Sequence, residues 1–274
     1  MTSGKVATTL GYERRNNPAL RFTDRDAFVA FMTADQPVRP ANIANIVAIN
    51  QGVRPLTMEA PSAPGLTPDG VSGLQAQGHM VIDTRRSRQF GEGHVPGSLH
   101  VHLSSPEFEQ RVGWVTPADA PVVLVLEQDD EIALALKALA FVGLDRRVAG
   151  YLAGGVNAWA KSVGALDTLD QIEVGALHAR LGVDRELRVL DVREPSEWRA
   201  GHIAGAAQLS YKHLTARFAE LDLSSASRVA IVCHSGARSS TAASILRRRG
   251  VPGVANVVGG MVAWSAAGLP TVTR

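Results

Sequence analysis

The stretch Val229-Ala230-Ile231-Val232-Cys233-His234-Ser235-Gly236-Ala237-Arg238-Ser239 runs from a β-branched apolar segment through a short polar turn into a predicted helix. If the turn curls around the sulfur, the N–H groups of residues 234–238 point inward, and the helix N-terminus adds positive partial charge. Such a ring stabilises a thiolate, the nucleophilic form of cysteine. The alternative is that this single cysteine is a small buried hydrophobe. Gly236, which permits a tight loop, and Arg238, a fixed cation, favour the reactive interpretation.

The same pattern occurs twice in the chain. Val81-Ile82-Asp83-Thr84-Arg85 precedes Gly93-His94-Val95-Pro96-Gly97-Ser98, and Val189-Leu190-Asp191-Val192-Arg193 precedes Gly201-His202-Ile203. The two aspartates are 108 positions apart, and so are the two histidines. Further on, the Gly-Gly and Trp residues of 151–159 match those of 257–264. The sequence therefore predicts a tandem repeat of a whole domain.

The chemistry is not duplicated with the domain. Aligning the copies on Gly143 and Gly250 replaces the cysteine, the loop glycine and the arginine of the second copy with, respectively, Leu126, Asp129 and Glu131. A nucleophile becomes apolar, and two positions that favour an anion become acidic. We therefore expect the first copy to be inactive, to attract no anion and to serve in packing.

Apolar segments that alternate with helical patterns predict the fold class. The strand candidates are residues 79–84, 121–126, 147–152, 188–192, 229–233 and 254–258, and the helical patterns are residues 131–142, 173–181, 212–220 and 238–249. This alternation predicts an α/β chain with two domains, each a parallel sheet flanked by helices. Cys233 then lies at the carboxyl end of a strand, where such sheets usually bind ligands.

The distribution of proline and glycine predicts the domain boundaries. The segment 55–70 is rich in both and is interpreted as a linker. The resulting division is a helical N-terminal extension over residues 1–54, the linker 55–70, an inactive domain over residues 71–165 and a catalytic domain over residues 166–274.

Composition excludes several classes of function. The 274 residues suit two domains, and 45% hydrophobic with 20% charged residues is typical of globular proteins. One cysteine excludes a disulfide framework within the chain, and no CxxC or HExxH spacing offers a metal site, so no metal or cofactor is expected. A net charge of +2 argues against nucleic-acid binding. No signal-like segment and no apolar run of about 18 residues is present, so we expect a cytoplasmic protein without membrane contact.

The loop Cys233-His234-Ser235-Gly236-Ala237-Arg238 resembles the active-site loop of the rhodanese family, sulfurtransferases whose catalytic cysteine carries a persulfide. Four residues separate its cysteine from its arginine, whereas the wider phosphate-binding loops of tyrosine phosphatases have five. The segments 189–206 and 257–264 resemble the family's first signature and its closing strand and helix. The resemblance implies that Cys233 and Arg238 are catalytic. The substrate-binding loop would then comprise His234, Ser235, Gly236, Ala237 and Ser239.

Two further residues are expected to support this loop, and a third is expected to be structural. Asp191 closes an apolar strand and can accept hydrogen bonds either from the Cys233 loop or from Arg193, and we expect both residues to act behind the loop. His202, in a Gly-His-Ile turn, is expected to be a structural hydrogen-bonding residue.

The resemblance also implies a reaction. Cys233 would take a sulfane sulfur from thiosulfate or a low-molecular-weight persulfide and pass it to cyanide, sulfite or a thiol, while Arg238 binds the oxyanion of donor or acceptor. One alternative is a non-catalytic persulfide-binding or docking module. Another is a small phosphatase, which the short loop and the lack of an obvious acidic proton donor disfavour.

The N-terminal segment carries a second resemblance. Gly11-Tyr12-Glu13-Arg14-Arg15-Asn16-Asn17-Pro18-Ala19-Leu20 resembles the tail of metallo-β-lactamase-fold persulfide dioxygenases, which some bacteria fuse to rhodanese domains. No HxHxDH metal motif accompanies it, so we interpret the chain as a descendant or C-terminal portion of such a fusion, with a dioxygenase as candidate partner. Two short amphipathic helices are expected, one capped by Thr23 and one over residues 43–49. They are structural if packed and a partner surface if exposed.

Overall fold

The computed structural model describes residues 7–34, 39–40, 42–53, 61–221, 223 and 228–273. Part of the predicted linker, including Pro55, lies outside the described residues. The chain divides into two compact units, Met1–Arg39 and Pro40–Arg274. The predicted extension 1–54 is therefore shared between the two units.

The described residues of the first unit form two α-helices, α1 (Leu10–Asn16) and α2 (Arg25–Thr33), with a 3₁₀ turn over Pro18–Arg21 between them. Asp24, not Thr23, caps α2, because its Oδ1 accepts a hydrogen bond from Ala27 N at 2.8 Å. The predicted cap was thus wrong by one residue. The apolar side chains of α2 are partly exposed: Phe28 39%, Phe31 44% and Met32 47%.

The second unit holds the remaining helices and all described strands. Its helices are α3 (Ile43–Asn50), α4 (Pro68–Ala76), α5 (Ser87–Glu92), α6 (Phe108–Val115), α7 (Ile132–Ala140), α8 (Gly155–Ser162), α9 (Val174–Leu181), α10 (Pro195–Ala200), α11 (Leu214–Arg217), α12 (Ala237–Arg248) and α13 (Gly260–Ala266). Its strands are β1 (Gly65–Leu66), β2 (Met80–Asp83), β3 (Leu99–His100), β4 (Val122–Val125), β5 (Val148–Leu152), β6 (Asp170–Ile172), β7 (Leu187–Asp191), β8 (Ala207–Gln208), β9 (Arg228–Val232) and β10 (Val254–Val257).

The strands form two parallel five-stranded sheets, ordered β1-β5-β4-β2-β3 and β6-β10-β9-β7-β8. The predicted α/β fold class, with two tandem parallel-sheet domains, is confirmed. All six strand candidates are the central three strands of one sheet or the other. The four outer strands were missed because two or three residues are too few to show a hydrophobic period. One of them, β1, lies inside the segment predicted as linker.

The predicted helices are found with small differences. Helices α7, α9 and α12 match the patterns at 131–142, 173–181 and 238–249. The pattern at 212–220 is not one helix, because it divides into a 3₁₀ turn, the four-residue α11 and a second 3₁₀ turn. The helix predicted over residues 43–49 is α3, and it packs on the first domain. Asn42 Nδ2 donates to Val142 O at 2.8 Å, and Ile46 contacts the core.

Helix α12 joins the two domains. Every residue of 239–246 is buried, and α12 contacts β3 of the first sheet as well as β9 and β10 of its own. Its serine, threonine and alanine side chains are small enough to allow packing on two sides. His100 N in β3 donates to Ser244 Oγ at 3.0 Å, and one apolar cluster draws residues from both sheets. The first domain therefore supports the helix that begins at the cysteine loop.

Within the part of the chain that the structure describes, no helix is long and apolar enough to cross a membrane.

Candidate active site

The cysteine loop is short and depends on one glycine. Cys233 directly follows β9, and α12 begins four residues later at Ala237. Gly236 precedes the helix with a φ of 96°, and a Cβ there would lie 3.3 Å from Gly259 N and 3.4 Å from Val257 O. A left-handed backbone in so narrow a space requires glycine. The turn brings Cys233 to the N-terminus of α12, where unpaired N–H groups carry positive partial charge.

Two donors contact the sulfur of Cys233, which is fully buried. Gly236 N–H donates to Sγ at 3.1 Å, and the Ser239 hydroxyl lies 3.3 Å from Sγ. Of the amides of residues 234–238, all of which are described, that of Gly236 is the one hydrogen-bonded to sulfur. The Ser239 hydroxyl also lies 2.6 Å from Asn256 Oδ1. A hydroxyl has one proton to donate. The Ser239 hydroxyl can therefore donate to Asn256 Oδ1 when Cys233 is a thiol, and to Sγ when Cys233 is a thiolate.

The N-terminus of α13 holds the loop from the other side. Met261 N donates to Cys233 O at 2.8 Å, and Val262 N donates to His234 O at 3.0 Å. A Cβ on Gly260 would lie 2.3 Å from Cys233 O and 2.7 Å from His234 O, so glycine allows this approach. In a trans peptide, C=O and N–H point in opposite directions. Fixing the carbonyls of residues 233 and 234 therefore orients the amides of the next two residues.

Arg238 forms a bidentate salt bridge with Glu197 of α10. Its two terminal nitrogens each donate to one carboxylate oxygen of Glu197 at 2.7 Å. Burial alone would raise the pKa of Glu197, but the hydrogen bonds and charge of Arg238 outweigh it and hold that pKa below its usual value. Burial likewise opposes the charge of Arg238, and Glu197 more than compensates, so the pKa of Arg238 is raised. The pair connects the loop to α10.

Asp191 and Arg193 brace the turn behind the loop. Of the two partners open for Asp191, Arg193 is confirmed: Arg193 N donates to Oδ1 at 3.0 Å, and its guanidinium donates to Oδ2 at 2.6 Å. Arg193 also donates to Gly201 O at 2.7 Å. His202 is structural as expected, because Nδ1 lies 2.9 Å from Trp198 O and the two rings stack at 3.6 Å.

The first domain repeats the brace without the cysteine. Arg85 donates to Asp83 at 2.6 Å and to Gly93 O at 2.7 Å. The Asp-Arg pair therefore supports the fold in both copies and does not distinguish the copy that carries the cysteine.

The loop of the first domain is filled by its own carboxylates. Leu126 and Cys233 hold equivalent positions, each following a central strand. Glu131 Oε2 accepts hydrogen bonds from the amides of Glu127 at 3.0 Å and Gln128 at 3.3 Å. The amides of Glu127 and Gln128, which could otherwise bind an anionic ligand, thus already donate to the carboxylate of Glu131.

Two cavities border the cysteine loop, and the first domain lines both. The larger, about 760 Å³, is lined by Arg86, Arg88 and His102 of the first domain and by loop residues 235–237. The smaller, about 330 Å³, is named the outer pocket; its lining includes Glu107, Arg111, Tyr211, Lys212, Ser235 and Arg238. Exposed His234 also lines it.

The structure brings the predicted loop residues together and adds others. Cys233, Gly236 and Ser239 meet at the sulfur, and Asp191 with Arg193 lies behind them. The sequence analysis assigned no role to Glu197, although it lies in the first signature segment, nor to Asn256. Nothing in the sequence singled out Arg111, because it belongs to the copy without the cysteine. No cluster of three metal-ligating side chains occurs among the described residues.

Comparison with known proteins gives consistent matches. A family model described as "Rhodanese-like domain" matches residues 67–162 and 173–267. A protein named "Sulfurtransferase" from Allochromatium vinosum is 35% identical over 104 residues, 38% of this chain and 95% of its own length. The chloroplastic thiosulfate sulfurtransferase 16 of Arabidopsis thaliana is 37% identical over 99 residues, 31% of this chain and 78% of its own. The match to YrkF of Bacillus subtilis, at 34% identity, spans 36% of this chain and 52% of that relative.

Solved structures also match. The thiosulfate sulfurtransferase of Pseudomonas aeruginosa is 26% identical with a TM-score of 0.33, over 77% of this chain and 41% of that chain. A rhodanese-related protein from Thermoplasma volcanium is 28% identical with a TM-score of 0.35, over 38% of this chain and 99% of that chain.

Proposed function

Since the chain belongs to the rhodanese-like family, whose domain it carries twice, we propose that it is a sulfurtransferase with Cys233 as the sulfur carrier. The observation that supports this best is the hydrogen bonding of Sγ by Gly236 N–H and the Ser239 hydroxyl at the N-terminus of α12. These contacts stabilise a thiolate. Relatives named as sulfurtransferases, one of them a thiosulfate sulfurtransferase, support the class and suggest thiosulfate as a donor.

The first step loads the cysteine. The Cys233 thiolate attacks the outer, sulfane sulfur of thiosulfate or of a low-molecular-weight persulfide. A bond forms between Sγ and that sulfur, and the S–S bond of the donor breaks. Sulfite or a thiolate leaves with the electron pair. The Ser239 hydroxyl and the amide of Gly236 are positioned to stabilise negative charge on sulfur during this exchange.

The second step unloads it. An acceptor attacks the outer sulfur of the persulfide, and the bond to Sγ breaks with its electrons returning to Cys233. Cyanide gives thiocyanate, a thiol gives a new persulfide, and sulfite gives thiosulfate. Arg238 contributes positive charge near the loop for the oxyanion of donor or acceptor, although its terminal nitrogens are held by Glu197.

A non-catalytic persulfide-binding module is the second candidate, because the Cys233 side chain is fully buried in this structure. Such a module would hold a persulfide without passing it on. A persulfide dioxygenase is the proposed partner in either case, on the resemblance of residues 11–20, and the cytoplasm is the proposed compartment.

Mass spectrometry tests the proposal directly. After brief exposure to thiosulfate, the chain should gain one sulfur, about 32 Da, and cyanide or sulfite should remove it. The variant Cys233→Ser should gain nothing. If the adduct forms but no acceptor discharges it, the binding-module candidate holds. If neither thiosulfate nor glutathione persulfide gives an adduct, sulfur transfer is excluded.

A further inference from the structure

The outer pocket combines both domains at the edge of the cysteine loop. Its lining includes Ser235 and Arg238 of the second domain and Arg111 from α6 of the first, but not Cys233 itself. A ligand in this pocket therefore contacts the loop at one end and the first domain at the other.

Two of the three permanent cations that line the pocket have carboxylate partners. Arg238 is held by Glu197, and Lys212 Nζ lies 3.3 Å from Glu194 Oε1. Arg111 differs: within the described ranges, its guanidinium forms no ion pair, and its buried Nε has no hydrogen-bond partner. Glu107 lines the same pocket but makes no ion pair with Arg111 in this part of the chain.

Arg111 is nevertheless almost fully withdrawn from water. The residue is 8% exposed, and its Cζ lies 5.8 Å from the centroid of the Tyr211 ring. A cation–π contact at that distance compensates only part of the lost hydration. A buried guanidinium is unfavourable unless an anion pairs with it. Among the described residues, no carboxylate lies within ion-pair distance of Arg111, although Glu107 and Glu194 line the same pocket. The buried guanidinium therefore lacks an anionic partner.

Tyr211 provides a second unused polar group in the same place. It is 2% exposed, and its hydroxyl has no hydrogen-bond partner among the described residues. Its ring is held edge-on by Trp114 of α6, with centroids 6.0 Å apart. Burial raises the pKa of Tyr211, so the hydroxyl keeps its proton at neutral pH and remains a donor.

We propose that Arg111 and the Tyr211 hydroxyl form a binding subsite for the carboxylate of the thiol that accepts sulfur from Cys233. This inference rests on the proposed function. A carboxylate suits a guanidinium fork together with a phenolic donor. Because Cys233 does not line the pocket, the acceptor must be longer than thiosulfate for its sulfur to reach the persulfide. The first domain, which has no nucleophile, then contributes substrate specificity.

The role of the subsite in the reaction is binding. With the carboxylate held by Arg111, the acceptor thiolate attacks the outer sulfur of the Cys233 persulfide. The new S–S bond forms on the acceptor, the bond to Sγ breaks, and Cys233 is regenerated as a thiolate. Since Arg111 contacts a part of the acceptor that does not react, its loss should change KM more than kcat.

Three acceptors of different charge and length test this subsite in the full chain with thiosulfate as donor. Mercaptohexanoate carries a terminal carboxylate, mercaptohexanol is an uncharged thiol of the same chain length, and cyanide is too small to span the pocket. Arg111→Gln should raise KM for mercaptohexanoate about 10- to 100-fold, with kcat within about twofold. Its kinetics with mercaptohexanol and cyanide should stay as in the wild type.

Three further variants serve as comparisons. Tyr211→Phe removes the hydroxyl alone and should raise KM for mercaptohexanoate about threefold to tenfold. Arg111→Lys should restore part of the affinity, because it keeps the charge but not the fork. Arg146→Gln removes an exposed arginine of the same domain and should change none of the three reactions. An equal rise in KM for mercaptohexanol, or no preference of the wild type for the carboxylate, would overturn the subsite.

Direct binding separates this inference from the proposed function. Calorimetry of mercaptohexanoate with Cys233→Ser needs no turnover and should give an affinity that Arg111→Gln or Tyr211→Phe weakens. If the persulfide forms normally but neither variant changes binding, the subsite is wrong and sulfur transfer stands. If no persulfide forms but the variants weaken binding, the anion subsite stands and its assignment to a sulfur acceptor fails.

Discussion

Ser239 is the residue whose side chain donates to the sulfur of Cys233. Its hydroxyl lies between Cys233 Sγ, at 3.3 Å, and Asn256 Oδ1, at 2.6 Å. Asn256 is in turn oriented by Gln171, to whose Oε1 its Nδ2 donates at 3.0 Å. This chain of hydrogen bonds fixes the position of the Ser239 oxygen, while its proton can still be donated either to Asn256 Oδ1 or to Cys233 Sγ.

We predict that Ser239→Ala slows persulfide formation with thiosulfate by about tenfold, because the thiolate loses one of its two donors. Ser240→Ala is the matched control. Ser240 is its neighbour on the same helix, is equally buried and has an Oγ without a partner among the described residues. Rapid-quench mass spectrometry of both variants measures the rates. Equal rates in the two would show that the serine hydroxyl does not act on the sulfur.

At the scale of elements, the loop is held between the starts of two helices. Gly236, which directly precedes α12, supplies the N–H that donates to the sulfur, and α13 binds the carbonyls of residues 233 and 234 from the opposite side. Gly260 makes the second contact possible. The corresponding residue of the first domain, Gly155, has a φ of 59°, close to that of Gly260. A Cβ on Gly155 would lie 3.4 Å from Leu126 O, which is an ordinary contact.

Alanine at these two glycines should therefore have different effects. Gly155→Ala has the cost of a left-handed backbone, about 1–2 kcal/mol, and should leave sulfur transfer unchanged. Gly260→Ala adds a collision with Cys233 O and should lower the free energy of unfolding by roughly 2–4 kcal/mol, with at least a tenfold loss of persulfide formation. Urea unfolding and the adduct assay measure both quantities. Equal losses of activity would contradict the assigned role of α13.

At the scale of the whole second unit, the two domains meet around a buried histidine. His100 is fully buried in β3, and its ring Nε2 lies 2.8 Å from Arg85 O. Its backbone N–H donates to Ser244 Oγ on α12. Burial lowers the pKa of His100 to about 4 from its ordinary 6.5, although Asp83 and the bond to Arg85 oppose the shift. The pKa values of His94 and His102 are also lowered, chiefly by burial.

This burial makes the stability depend on pH. Between pH 6.5 and about 4 the unfolded chain binds a proton at His100 that the folded chain does not, so the free energy of unfolding falls as pH falls through that window. The contribution of this residue is at most about 1.4 kcal/mol per pH unit. We predict that His100→Gln, which retains a donor near Arg85 O, unfolds in urea with a shallower pH dependence than the wild type. An unchanged slope would exclude His100 as its source.

The residue pattern was sufficient to predict the duplicated domains, their central strands and the position of the cysteine loop. The spacing of Asp83 from Asp191 and of His94 from His202 identified the duplication, because a repeated brace needs the same residues at the same separation. The six central strands were found because buried parallel strands are continuous apolar runs. The loop Cys233 to Arg238 indicated the site, since its tight turn, glycine and helix start are all local features.

Contacts between distant segments were decided only in the folded chain. Glu197 meets Arg238 across 41 positions, Ser244 meets His100 across 144, and Arg111 reaches the outer pocket from the other domain. Local sequence encodes turns and periodicity, but it does not show which face of one domain packs on the other. That choice depends on burying α12 between two sheets. The sequence thus determined where the cysteine loop lies, and the packing of the two domains decided what surrounds it.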